Sequence, residues 1–237
     1  MTAKMDLDLD LDLERMPMEQ ILVYSDSATW GIIAHTRRRL PFDQRWPGVL
    51  ELRLNAESVT RYRVVEDCLN GRRTVWEDPF KEGRNGLVGL QQRLEVNSPL
   101  ALLIFMLGTN DFQAAHQNHA WHSAQGMARL IHAARSAPIE PGMPIPPILV
   151  VSPPSITQPS GAIARKFAGA AEKCAGLASE LRQVCADTSC SFFDAASVTT
   201  LSKLDGIHLD IDQHRVLGES LSDLVKSILR DGAAVGR

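Results

Sequence analysis

Short runs of apolar residues alternate along this chain with longer stretches in which apolar residues recur three and four apart. The short runs are Ile21 to Tyr24, Tyr62 to Val65, Leu100 to Leu107, Ile148 to Val151 and Ser191 to Phe193. Rich in β-branched and aliphatic side chains, they predict five strands. The longer stretches, Trp46 to Leu54, Leu87 to Val96, Ala120 to Ala137, Ala162 to Cys185 and Asp212 to Leu229, carry the helical period and predict helices that cover a sheet. Strands and helices in alternation are the signature of βαβ units, so the pattern predicts a parallel sheet in a three-layer α/β sandwich.

Two segments break the pattern. Arg72 to Gly86 is charged and contains Pro79 and Gly83, and Ser136 to Pro147 is proline-rich; both predict surface loops. The start of the chain alternates Asp and Leu from Asp6 to Leu13, which has strand period but is an acidic repeat with no turn partner, and residues 1–19 are expected to be a frayed tail. Residues 20–230 then form one domain, followed by a short tail over 231–237.

In a doubly wound sheet, ligands collect beyond the carboxyl ends of the strands, so the residues just after each apolar run carry the chemistry. After the first run stands Ser25-Asp26-Ser27-Ala28-Thr29-Trp30-Gly31, where a turn into a helix would expose the Ser27 hydroxyl; the same residue types also serve as helix caps. After the second, Asn70-Gly71 marks a tight turn whose backbone N–H groups face outward, a feature most such pairs have without further consequence. The third ends in Gly108-Thr109-Asn110-Asp111-Phe112, in which Asn110 is either an amide donor for a developing oxyanion or a helix cap. After the fifth, Asp205-Gly206-Ile207-His208 sets a carboxylate three residues before an imidazole. That spacing suits a pair in which the carboxylate fixes the tautomer and the second ring nitrogen accepts a proton.

Together, in this order, the four clusters resemble the signature blocks of the SGNH (GDSL-like) hydrolases, over a span from about Ile21 to Leu229. The strings Ser27-Ala28-Thr29-Trp30-Gly31, Arg45-Trp46-Pro47-Gly48-Val49-Leu50, Leu107-Gly108-Thr109-Asn110-Asp111 and Val150-Val151-Ser152-Pro153-Pro154 are similar to the bacterial arylesterase and acyltransferase branch. The resemblance implies a flavodoxin-like five-stranded parallel sheet and an ester hydrolase working through an acyl-enzyme. It casts Ser27 as nucleophile, His208 as base and Asp205 as its orienting carboxylate, with the Ser27 N–H, Gly71 and Asn110 forming the oxyanion hole. Three positions depart from the family pattern: Ser25 where Gly is usual, Ala28 where Leu is common, and Cys68 where close relatives often have Gly. Ser25 is tolerable only if its backbone does not need a positive φ.

Composition narrows the substrate. A net charge of -3 supplies no basic field for phosphates, so a nucleic acid is not expected as partner; a small uncharged ester is. Ala28, Trp30, Phe112 and Trp76, with its loop to Phe80, are the candidate walls of its pocket. Arg72 and Arg73 could meet a charged leaving group or simply stay solvated. His116, His119 and His122 have spacing that could align two imidazoles, but no carboxylate or Cys completes a metal set, so neither metal nor cofactor is expected. No apolar stretch reaches the roughly 20 residues a spanning helix needs, no signal for export is visible, and the four cysteines form no CxxC pair. A cytoplasmic protein with reduced thiols, no membrane partner and self-association into a homo-oligomer is expected. Competing readings of the same residues are a carbohydrate O-acetylesterase, a thioesterase, and a catalytically silent binding protein that kept the fold.

Overall fold

In a computed structural model the described residues are 18–36, 38–56 and 58–235, so the acidic repeat lies outside them. Five strands form one sheet: β1 (Met18–Ser25), β2 (Arg61–Cys68), β3 (Leu102–Met106), β4 (Ile148–Ser152) and β5 (Ser191–Asp194). Their order is β2-β1-β3-β4-β5, and every pairing is parallel. Order and direction match the flavodoxin-like expectation. The three central strands are buried on both faces, which is why they read as continuous apolar runs and not as alternating ones.

A short helix, α1 (Ser27–Trp30), follows β1 directly, and α2 (Trp46–Asn55) leads into β2. Further along come α3 (Leu90–Asn97), α4 (Ala120–Arg135), α5 (Ala170–Cys174), α6 (Leu177–Asp187) and α7 (Ile211–Val235). On one face α2 packs against α7; on the other α4 packs against both α3 and α6, completing the three layers. The inward stripe of α4 runs through Ala120, Ser123, Ala124, Met127, Leu130, Ile131 and Ala134, at the three- and four-residue spacing that buries one side of a helix. Among the described residues no helix is long and apolar enough to cross a membrane, and all four cysteines are unbridged.

Three expected boundaries are corrected. Met18 and Glu19, expected in the tail, pair in β1, with Met18 opposite Arg61. The helix expected over Ala162 to Cys185 is three pieces: a 3-10 turn at Gly161–Phe167, then α5, then α6. It breaks at Gly169 and Gly176, where φ is +72° and +85°, left-handed conformations that end a right-handed helix although the apolar period runs straight through them. At the far end α7 continues into the expected tail as far as Val235, with Ile228 and Leu229 buried on the domain.

The sheet order reverses direction between β1 and β3, and this switch point opens a crevice at their carboxyl ends. Ser25-Asp26-Ser27 leaves β1 there, and Gly108-Thr109-Asn110 leaves β3.

Candidate active site

At the end of β1, Ser25 is fully buried and lies outside the positive-φ residues of the chain, so the side chain that replaces the family's usual Gly causes no backbone conflict. Its hydroxyl donates to the Met106 carbonyl at 2.6 Å and sits 2.6 Å from Thr29 Oγ1, tying the end of β1 to the end of β3. Asp26 follows as the N-cap of α1, its Oδ1 accepting the Ala28 N–H at 2.9 Å. The capping duty weighed for this cluster therefore falls on Asp26. That leaves Ser27 as the first helical residue.

His208 reaches the same point from the segment between β5 and α7. Its Nε2 lies 3.2 Å from Ser27 Oγ and its Nδ1 2.6 Å from Asp205 Oδ2, so serine, imidazole and carboxylate form one buried line. The other carboxylate oxygen of Asp205 accepts the N–H groups of Ile207 and His208 at 2.9 and 3.0 Å, which fixes both ends of the four-residue loop. Burial raises the Asp205 pKa, but the hydrogen bonds from His208 and the two N–H groups outweigh it and pull the carboxyl down to about 2. Gly206 makes the loop possible: φ is +70°, and a Cβ there would stand 2.3 Å from the Gln158 carbonyl oxygen.

The Asn70-Gly71 turn closes with Arg72 N–H donating to the Leu69 carbonyl at 2.9 Å, and Gly71 has φ +87°. Among the described residues nothing accepts a hydrogen bond from the Ser27 or Gly71 N–H. Asn110 differs. Its amide nitrogen donates to Asp26 Oδ2 at 2.8 Å and to the Arg72 carbonyl at 3.1 Å, so it braces the β1 turn and the Gly71 turn at once. Asp26 is consequently a buried carboxylate with neutral N–H partners. Desolvation raises its pKa to about 6, opposed by the Ala28 N–H, the His208 charge, the Asn110 amide and Arg72.

Several supporting groups were invisible in the sequence. Asp111, next to Asn110, accepts from the Thr74 N–H at 2.9 Å, the Thr74 hydroxyl at 2.8 Å and the Ser123 hydroxyl at 2.6 Å, so it pins the segment after the Gly71 turn to α4. Gln113 bonds Asn110, and Arg73 bonds Gln113. Arg72 and Arg73 are thus neither solvated nor turned toward a ligand. Arg72 donates to the Ser25 carbonyl and to Asp67, with its guanidinium 3.7 Å over the Tyr24 ring, while Arg73 is fully buried and pairs with Asp78 at 3.2 Å.

Beside His208 lies a hollow of about 490 Å³ lined by Ile32, His35, Thr36, Ser160, Ala162, Ile163, Lys166 and Asp205. The expected pocket walls are not among these residues. Phe112 is fully buried in the core, because the turn that presents Asn110 directs the next aromatic ring inward; Ala28 is buried in α1. Trp30 carries the Arg39 guanidinium 4.8 Å from its ring, and Trp76 has a buried indole nitrogen with no partner among the described residues. A larger hollow of about 730 Å³, lined by Met18, Pro99, Leu100 and Ile145 among others, lies at the amino ends of the strands, away from this chemistry. The three spaced histidines are structural: the His119 N–H donates to His122 Nδ1 at the start of α4, and His116 Nε2 lies 3.0 Å from the Glu77 carbonyl. Among the described residues no group of three His, Cys, Asp or Glu side chains is arranged to hold a metal.

A parallel α/β sheet with a serine, an imidazole and a carboxylate lined up at its switch point defines a serine hydrolase. The chain belongs to the GDSL-like lipase/acylhydrolase family, whose model matches residues 26–216, and it is an SGNH-type serine esterase. A carbohydrate acetylesterase family member from Sinorhizobium meliloti is 35% identical, with 90% of this chain and 100% of that one aligned at a TM-score of 0.84. The aryl esterase of M. smegmatis is 34% identical over 89% of this chain and 99% of its own, at 0.82. A second carbohydrate acetylesterase from Sinorhizobium meliloti is 30% identical over 89% and 99%, also at 0.82. No curated protein sequence matches the chain.

Burial pushes the Asp111 carboxyl up to about 6, against the bonds from Ser123 and Thr74. A carboxyl whose value is raised on folding contributes most to stability below its unfolded value and loses that contribution as pH rises through the folded one. Measured by urea unfolding, the stability of the wild type relative to Asp111→Asn should therefore fall by roughly 2 kcal/mol between pH 4 and pH 7. A difference that stays flat or grows over that range contradicts the assignment.

Proposed function

We propose that the chain is a serine-dependent carboxylic ester hydrolase of arylesterase type, acting on small, uncharged, short-acyl esters through an acyl-enzyme on Ser27. The observation that carries this reading is the unbroken line from Ser27 Oγ through His208 to Asp205, with the Ser27 and Gly71 N–H groups, which have no acceptor among the described residues. Ser27 Oγ attacks the carbonyl carbon as its proton passes to His208 Nε2, and Asp205 stabilises the imidazolium and holds the tautomer. The Ser27 and Gly71 N–H groups take the tetrahedral oxyanion, joined by the Asn110 hydrogen now directed at the Arg72 carbonyl. Collapse breaks the ester bond, the alcohol leaves with the proton from His208, and water repeats the sequence in reverse to release the acid. A second alcohol in place of water turns hydrolysis into acyl transfer, to the extent that the site excludes water.

One observation favours a second reading, removal of acetyl groups from sugars. The leaving alcohol must lie on the His208 side to collect its proton, and the hollow there offers His35, Thr36, Ser160 and Lys166 beside Ile32 and Ile163. Polar groups of this kind suit a hydroxylated alcohol better than a bare aryl ring. Two of the solved relatives are carbohydrate acetylesterases.

A panel of short and long acyl p-nitrophenyl esters, acetylated sugars and acyl-CoA decides between them. Wild type should turn over the short aryl esters fastest, and Ser27→Ala should lose roughly 10³-fold or more in kcat on every active substrate. Faster turnover of acetylated sugars would establish the second reading. Retained turnover in Ser27→Ala would remove the nucleophile, and a preference for acyl-CoA would make the protein a thioesterase.

A further inference from the structure

The Asn110 side chain can face the reacting carbonyl in two ways that differ only in which end is a donor, and only one of them stabilises negative charge. What decides between them lies away from the reacting atoms. Gln113 donates from Nε2 to Asn110 Oδ1 at 2.7 Å, and Arg73 Nη2 donates to Gln113 Oε1 at 2.6 Å. At the other end, Asn110 Nδ2 donates to Asp26 Oδ2 at 2.8 Å. We propose that Gln113 is a positioning residue which, anchored by Arg73, fixes the orientation of the Asn110 carboxamide and so sets the third donor of the oxyanion hole. This rests on the reading of Asn110 as an oxyanion donor.

Hydrogen-bond polarity fixes this orientation. A guanidinium can only donate and an ionised carboxylate can only accept, so the two ends of the chain Arg73, Gln113, Asn110, Asp26 are unambiguous. Between them stand two amides, each of which could be turned around. With both ends fixed, a single arrangement pairs every contact; turning either amide sets donor against donor or acceptor against acceptor at two places, in a region where all four side chains are buried. Turned around, Asn110 would point its oxygen at the developing oxyanion. Gln113 is itself held from behind by Lys173, whose Nζ donates to the Gln113 carbonyl at 3.0 Å, and Arg73 is held by Asp78. Gln113 makes no hydrogen bond to Ser27 or His208, so its influence on the reaction passes through Asn110.

The test is steady-state kinetics on p-nitrophenyl acetate with Gln113→Glu, Gln113→Met, Asn110→Ala and the Asn110→Ala/Gln113→Glu pair. The Gln113→Glu change keeps the shape and the contact with Arg73 but puts an acceptor against Asn110 Oδ1. Gln113→Met removes the steering group without adding charge, and it carries the test if Gln113→Glu fails to fold on thermal melting. For Gln113→Glu, kcat should fall roughly 10- to 100-fold with KM changed less than about threefold; Gln113→Met should fall by less; and Gln113→Glu should cost nothing further once Asn110 is Ala. The proposal is overturned if Asn110→Ala is slow while both Gln113 variants stay within about twofold of wild type. It is equally overturned if Gln113→Glu slows the Asn110→Ala enzyme as much as it slows the wild type. Wild-type kcat in Asn110→Ala would instead remove Asn110 from the oxyanion hole, and the positioning role with it.

Discussion

Asp26 is the group on which the arrangement at the carboxyl edge of the sheet depends. Its carboxylate is buried, and among the described residues its hydrogen-bond partners are neutral N–H groups, one on α1 and one on Asn110. Burying a charge this way is unfavourable, which is why its pKa rises to about 6. The return is geometric. One oxygen starts the helix that presents Ser27, and the other fixes the amide at the end of β3, so strands that merely run side by side become a shared site.

From that point outward the loops brace one another. Asn110 holds the Gly71 turn through the Arg72 carbonyl, Asp111 holds the next residues through Thr74, and Arg72 returns from that turn to the Ser25 carbonyl. Each contact joins segments that leave different strands, and each is buried. In a low-dielectric setting such bonds are strong when fully paired and costly when one partner is lost, so the segments carrying Ser27, Gly71 and Asn110 are held in one arrangement. His35, Thr36, Ser160 and Lys166 line the hollow beside His208, and two of them tie it to the neighbouring loops: Ser160 N–H donates to the Asp205 carbonyl and the Lys166 carbonyl accepts the Ala114 N–H.

Much of this was legible in the sequence, for physical reasons. Strands buried on both faces must be continuous apolar runs, so Ile21 to Tyr24 and Ile148 to Val151 could be read directly. Asp205 and His208 could be read because their partnership is local, made across one turn around Gly206. Periodicity failed over Ala162 to Cys185, where the apolar spacing continues across Gly169 and Gly176 although the backbone turns left-handed. Phe112 failed for a different reason: the residue after a strand end can point to the rim or into the core, and spacing alone does not say which. Arg73 and Gln113, forty residues apart, left no local trace because their meaning lies in a contact made only by the fold.

If the Asp26 carboxylate supports a nucleophilic Ser27, covalent labelling with a fluorophosphonate reports on both together. Labelling of wild type and Asp26→Asn at pH 8, followed by intact mass and peptide mapping, should place the adduct on Ser27. It should also proceed roughly tenfold or more slowly in the folded variant, where an amide replaces the acceptor that holds Asn110. Folded wild type that acquires no label on Ser27, or a variant labelled as fast as wild type, would contradict it.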